Sequence, residues 1–96
     1  MVTRIDILHK RADILRLAQI HGAQNIRLFG SVARGDSTPS SDIDLLVHMA
    51  SDRSLLDRIA LTQELEDLLN CKVDVVNDQA LSPSIRNTVL AEAVSL

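Results

Sequence analysis

Three short segments with the alternating pattern of β-strands are separated by helical segments along a chain of 96 residues. In the helical segments, apolar residues recur every three or four positions, which is the pattern of a helix that buries one face. This order of elements predicts a mixed α/β fold, in which helices cover a small sheet. The predicted helices cover residues 1–19, 54–69 and 83–93, a short helical turn begins at residue 32, and the predicted strands cover 25–30, 42–47 and 72–76.

Two of the helices carry features that bear on packing. In the first, Thr3 can cap the start, and the apolar face is predicted to begin with Ile5 and Leu8. In the helix over 54–69, the early residues Leu55 and Ile59 fall on a different arc from the later leucines. Either the helix bends near residues 59–60, or it keeps a second apolar face for a partner.

The length of the chain is that of one domain, so we expect a single domain over residues 1–96. No apolar run approaches the roughly 18–20 residues that cross a bilayer, and the start of the chain lacks a signal-peptide pattern. A lone cysteine, Cys71, cannot form an internal disulfide and suits a reducing compartment. The sequence therefore predicts a cytoplasmic protein.

The charge balance argues against long nucleic acids as partners. Ten basic and 13 acidic residues give a net charge of −3, whereas binding to a phosphate backbone is driven by an excess of positive charge. Phe29 is the one aromatic residue of the sequence, so the chain cannot build the base-stacking platform of a single-strand binder.

A candidate phosphate site lies where the first predicted strand ends. Gly30 allows a close approach of backbone to ligand, and the free N–H groups of the following helical turn face outward. The Ser31 hydroxyl adds a donor or acceptor. Such a turn can bind phosphate, although a Gly-Ser pair alone is more often an ordinary turn.

Two aspartates in the second predicted strand favour the phosphate site over an ordinary turn. Asp42 and Asp44 are two residues apart, so their carboxylates leave the same face of the sheet. Like charges this close raise each other's pKa unless a cation lies between them, and Mg²⁺ is the natural cation for oxygen ligands that also meet phosphates. Asp74 would add a third carboxylate if its strand lies alongside, giving an arrangement suited to displacement at phosphorus. In the alternative, Asp42 caps a turn while Asp44 and Asp74 face solvent.

The spacing of these residues resembles a known signature. Gly30-Ser31, ten further residues and then Asp42-Ile43-Asp44 match the GS-x10-DxD pattern of the DNA polymerase β-like nucleotidyltransferase superfamily. The resemblance covers residues 26–76, and the short chain is similar to the minimal nucleotidyltransferases, or MNT proteins. It implies a polymerase β-like core, with a small mixed sheet flanked by helices.

The resemblance also implies roles for individual residues. Gly30 and Ser31 would hold the triphosphate of ATP, and Asp42 and Asp44 would bind two Mg²⁺ ions. Asp74 would be a third metal ligand and the general base for the attacking hydroxyl. In the family an arginine at the position of Arg34 commonly faces the phosphates, but an exposed helical arginine explains Arg34 equally well.

MNT proteins typically occur beside a HEPN-domain toxin encoded nearby. The resemblance therefore implies an antitoxin that moves AMP from ATP to a hydroxyl of that toxin, expected to be a tyrosine. This chain contains no tyrosine, so tyrosyl self-modification is excluded. We expect the surface that grips the acceptor to come from another polypeptide, from a second copy of the chain or from the acceptor itself. Two alternatives stay open: neutralisation of the toxin by binding alone, and transfer to a small-molecule hydroxyl such as that of an aminoglycoside.

Overall fold

The computed structural model describes residues 2–96 and consists of helices packed on a four-stranded sheet. Residue 1, with which the first predicted helix begins, lies outside the described residues. The elements in chain order are α1 (Arg4–His9), α2 (Arg11–Ile20), β1 (Ala23–Phe29), α3 (Gly30–Arg34), β2 (Ile43–Met49), α4 (Leu55–Leu69), β3 (Val73–Asn77), a 3₁₀ turn (Asp78–Ala80), α5 (Pro83–Glu92) and β4 (Val94–Ser95).

The sheet is mixed, with strand order β3-β2-β1-β4. Strand β1 runs antiparallel to both β2 and β4, whereas β2 and β3 are parallel. Parallel neighbours need a crossover connection, and α4 supplies it. This arrangement confirms the predicted mixed α/β class.

The hydrophobic core lies between one face of the sheet and the helices. Alternate residues of β2, among them Leu45, point into it, together with Leu28 of β1 and Val75 of β3. Ile14 of α2 and Leu61 of α4 pack against these strands from the helical side, and both are fully buried. The intervening residues of β2 and β3 lie on the opposite face, which carries Asp44 and Asp74 as well as the buried Leu46.

The first predicted helix is two helices, so the prediction of one helix over 1–19 is wrong. The chain breaks at Lys10, which ends α1 and begins α2. Thr3 caps α1 as predicted, in a capping box with Asp6. The predicted apolar face is also wrong: Ile5 is 63% exposed, whereas Ile7 is fully buried, and Ile14 and Ala18 continue the buried side in α2.

Helix α4 is one continuous helix, so the predicted bend near residues 59–60 is wrong. Leu55, Leu56 and Ile59 instead lie exposed on its first turns, as the alternative of a second apolar face requires. Strand β4 was not predicted, and it follows directly on α5. Within residues 2–96, none of the helices is both long enough and apolar enough to span a membrane.

Candidate active site

Three aspartates lie at one end of the sheet. The parallel register of β2 and β3 places Asp74 directly beside Asp44, and Phe29 is paired with Asp44 from the other side. Asp42 immediately precedes β2, at the same end of the sheet. Asp42 and Asp44 are partly buried, whereas Asp74 is exposed. The structure thus pairs Asp44 with Asp74 and places Asp42 at the same end of the sheet.

Gly30 fixes how the chain passes this cluster. Strand β1 leads straight into α3, and Gly30 at the junction has a φ of +75°, a conformation that side-chain-bearing residues rarely adopt. An Oδ atom of Asp44 occupies the space that a Cβ on Gly30 would fill. The carboxylate of Asp44 is therefore seated against the turn, with Ser31 next in the chain.

The electrostatics of the cluster centre on Asp44. Burial raises the pKa of Asp44 above the ordinary 3.8, and the negative charges of Asp74 and Asp42 raise it further. Arg34 acts in the opposite direction, whereas Glu92 adds to the increase. The fold thus holds a carboxylate in a position where its ionisation is disfavoured, which is the environment that a cation would relieve.

This environment predicts that Asp44→Asn stabilises the fold. Because the pKa of Asp44 is higher in the folded protein than in the unfolded chain, stability is lost as the pH rises through that folded pKa. We expect Asp44→Asn to have a higher free energy of unfolding than the wild type at pH 7 without Mg²⁺. The gain should vanish below pH 3.8, where the carboxyl is protonated in both states.

Urea denaturation at the two pH values measures this difference. Asp67→Asn, on the exposed surface of α4, is the matched control and should leave the free energy of unfolding unchanged at both. An Asp44→Asn variant no more stable than the wild type at pH 7 would contradict the expectation.

A fourth carboxylate, Glu92, lies at the turn and was missed by the sequence analysis. The backbone N–H of Gly30 donates to Glu92 Oε1 at 2.8 Å, and Arg34 Nη1 lies 3.3 and 3.2 Å from its two carboxylate oxygens. Glu92 is the last residue of α5, far along the chain from both partners. No local pattern distinguishes it from an ordinary surface acid.

Arg34 lies beside the site and is engaged with acids of the protein. Its side chain is 50% exposed and also donates through Nε to Asp36 at 3.2 Å. Hydrogen bonds to Asp36 and Glu92 raise the pKa of Arg34, so the guanidinium stays charged. Its charge also reaches Asp44, whose pKa it lowers.

The side chains at the candidate site are of the chemical class that binds magnesium. The groups at this end of the sheet are carboxylate oxygens, the ligand class that Mg²⁺ prefers. Across residues 2–96, no three His, Cys, Asp or Glu side chains converge closely enough to form a metal site. Carboxylates that repel one another have no reason to converge unless a cation lies between them. The roles of Asp42, Asp44 and Asp74 as metal ligands stay a prediction.

Comparison with known proteins shows which family this geometry belongs to. The family described as nucleotidyltransferase domain matches residues 13–96. The protein adenylyltransferase MntA of Thermococcus cleftensis is 41% identical over 78 residues, which are 81% of this chain and 79% of the relative. A solved structure provisionally named a minimal nucleotidyltransferase is 42% identical, with a TM-score of 0.90 over 99% of this chain and 97% of its own.

Two further similar structures are toxin–antitoxin complexes. One, with AMP-PNP, is 29% identical and has a TM-score of 0.75 over 88% of this chain and 69% of its own. The other is a tri-AMPylated HEPN toxin of Shewanella oneidensis in complex with an MNT antitoxin. The matched chain of this complex is 26% identical, with a TM-score of 0.70 over 92% of the present chain and 69% of the matched one. The chain therefore belongs to the nucleotidyltransferase-domain family, as a minimal nucleotidyltransferase.

Proposed function

We propose that this nucleotidyltransferase moves AMP from ATP to a tyrosine hydroxyl of a HEPN-domain toxin, depends on Mg²⁺ and acts in the cytoplasm as an antitoxin. The observation that carries the proposal is the pairing of Asp44 with Asp74 beside the turn at Gly30. The related complexes with AMP-PNP and with an AMPylated HEPN toxin support ATP as donor and a toxin as acceptor.

In the proposed reaction, the acceptor oxygen bonds to the α-phosphorus of ATP as the bond to pyrophosphate breaks. Asp42, Asp44 and Asp74 would hold two Mg²⁺ ions, which supply charge neutralisation at the phosphates and a lower pKa for the acceptor hydroxyl. Asp74, the exposed member, would take the hydroxyl proton. The N–H groups of the turn and the Ser31 hydroxyl would orient the triphosphate, so that the chain's contribution is mainly positioning.

The acceptor must lie on another molecule if it is a tyrosine, because this chain has none. Asp74 lies on the exposed side of the acidic cluster, so a protein side chain can approach the reacting end from solvent. A protein acceptor therefore agrees with the geometry as well as with the related complexes.

The experiment is intact-mass spectrometry of the proposed acceptor, a HEPN-domain toxin from the same genome, after incubation with this chain, ATP and Mg²⁺. We expect the mass of the toxin to rise by one or more AMP units, and not to rise when either ATP or Mg²⁺ is left out. Peptide mapping should place the added AMP on tyrosine. A toxin that binds tightly and is neutralised without any mass gain would contradict the proposal and favour neutralisation by binding.

A further inference from the structure

Gly30 is held between two acids that come from different parts of the chain. The carboxylate of Asp44 fills the space on its Cα side, and Glu92 accepts its N–H at 2.8 Å. Both contacts join the turn to acids from other elements, β2 and α5. These two contacts at Gly30 therefore constrain the position of the next residue, Ser31, relative to the aspartates.

Glu92 also holds Arg34, at the other end of α3. Both carboxylate oxygens lie within 3.3 Å of Nη1 of that arginine. Since α3 is only five residues long, a contact at Gly30 and another at Arg34 fix the whole helix. A charged acceptor makes these hydrogen bonds stronger than neutral ones.

The end of the chain brings Glu92 to this position. Two residues beyond Glu92, Val94 pairs with Leu28 of β1, and Leu96 N–H donates to Ile26 at 3.0 Å. Strand β1 is the strand that leads into Gly30. The C-terminal segment is thus fastened to the same strand whose end it holds, and Glu92 is 25% exposed at its side chain.

We propose that Glu92 is a positioning residue, which holds the turn at Gly30 and Arg34 in the arrangement that binds the nucleotide. The inference rests on the proposed function for the identity of that nucleotide. Glu92 would act through its contacts with Gly30 and Arg34, without touching the substrate itself.

The test compares Glu92→Ala, Glu92→Asp and Glu92→Gln in calorimetric titrations with AMP-PNP and Mg²⁺. Glu92→Ala and Glu92→Asp, which remove or shorten the reach to Gly30, should weaken binding by about tenfold or more, as loss of a supporting partner usually does. Glu92→Gln keeps an acceptor for the Gly30 N–H and should lose less. Glu64→Gln is the control: Glu64 lies on α4 and pairs with His21 at 2.7 Å, and the variant should bind AMP-PNP as tightly as the wild type.

A second readout does not need nucleotide. The amide proton of Gly30, bonded to a carboxylate, should shift upfield in the NMR spectra of Glu92→Ala and Glu92→Asp, while amides of the core strands stay in place and show that the variants fold. Unchanged affinity in these two variants would overturn the proposal. Tighter binding would also overturn it, because it would mean that Glu92 competes with phosphate for the same donors. A wild type that binds no AMP-PNP would overturn the proposed function as well.

Discussion

The double variant Asp42→Asn/Asp44→Asn is expected to lose at least about a thousandfold in the rate of AMP transfer to the toxin, or about 4 kcal/mol of transition-state stabilisation. Amide groups keep the size of the carboxylates but remove the charge that would hold Mg²⁺ against the phosphates. The double variant should still fold, because the pKa of Asp44 is raised in the folded protein and its negative charge therefore opposes folding.

Intact-mass measurements of the toxin at several times give the rate, and a pull-down or titration gives the affinity for the toxin. The matched control is Asp67→Asn, which makes the same chemical change on the exposed surface of α4 and should transfer AMP at the wild-type rate. A double variant that retains a tenth of the wild-type rate would show that these two aspartates do not hold the metal.

Gly30→Ala is expected to damage both the fold and the transfer reaction. The φ of +75° costs a side-chain-bearing residue about 1–2 kcal/mol. The new methyl group would also collide with the carboxylate of Asp44, and such overpacking adds about 1–3 kcal/mol. Since Asp44 must move to relieve the collision, transfer should fall even in the fraction of molecules that stays folded.

Gly35→Ala separates these two effects. Gly35 has a similar φ of +82°, but nothing lies within 4 Å of the position of its Cβ. It should therefore show only the backbone cost in urea denaturation, with AMP transfer close to the wild-type rate. Equal losses of stability and of transfer in Gly30→Ala and Gly35→Ala would mean that Asp44 is not held against the turn.

The core of the candidate site could be predicted from the sequence because it follows from local rules. The two-residue period of a strand predicted Asp42 and Asp44 close together, and the structure places Asp44 in β2 with Asp42 just before it. Gly30 precedes both at a recognisable spacing. The position of Asp74 depended only on whether its strand lies next to β2, and the register shows that it does.

The features that escaped prediction depend on contacts between distant residues. A two-residue strand such as β4 has no room for an alternating pattern, so its pairing with β1 leaves no trace in the sequence. An acidic residue at the end of a helix, such as Glu92, is ordinary in a sequence, and only the folded chain shows that Glu92 accepts a hydrogen bond from Gly30. The break at Lys10 likewise involves no glycine or proline that would have signalled it.

The parallel pairing of β2 with β3 makes the candidate site depend on the packing of the helix that connects them. Asp44 and Asp74 are neighbours only while α4, which connects their strands, is packed on the sheet. A chain in which β3 has detached still contains every residue of the centre but has no place where the acids meet. We therefore expect a protease or partner that opens the crossover to stop AMP transfer without touching any of the three aspartates.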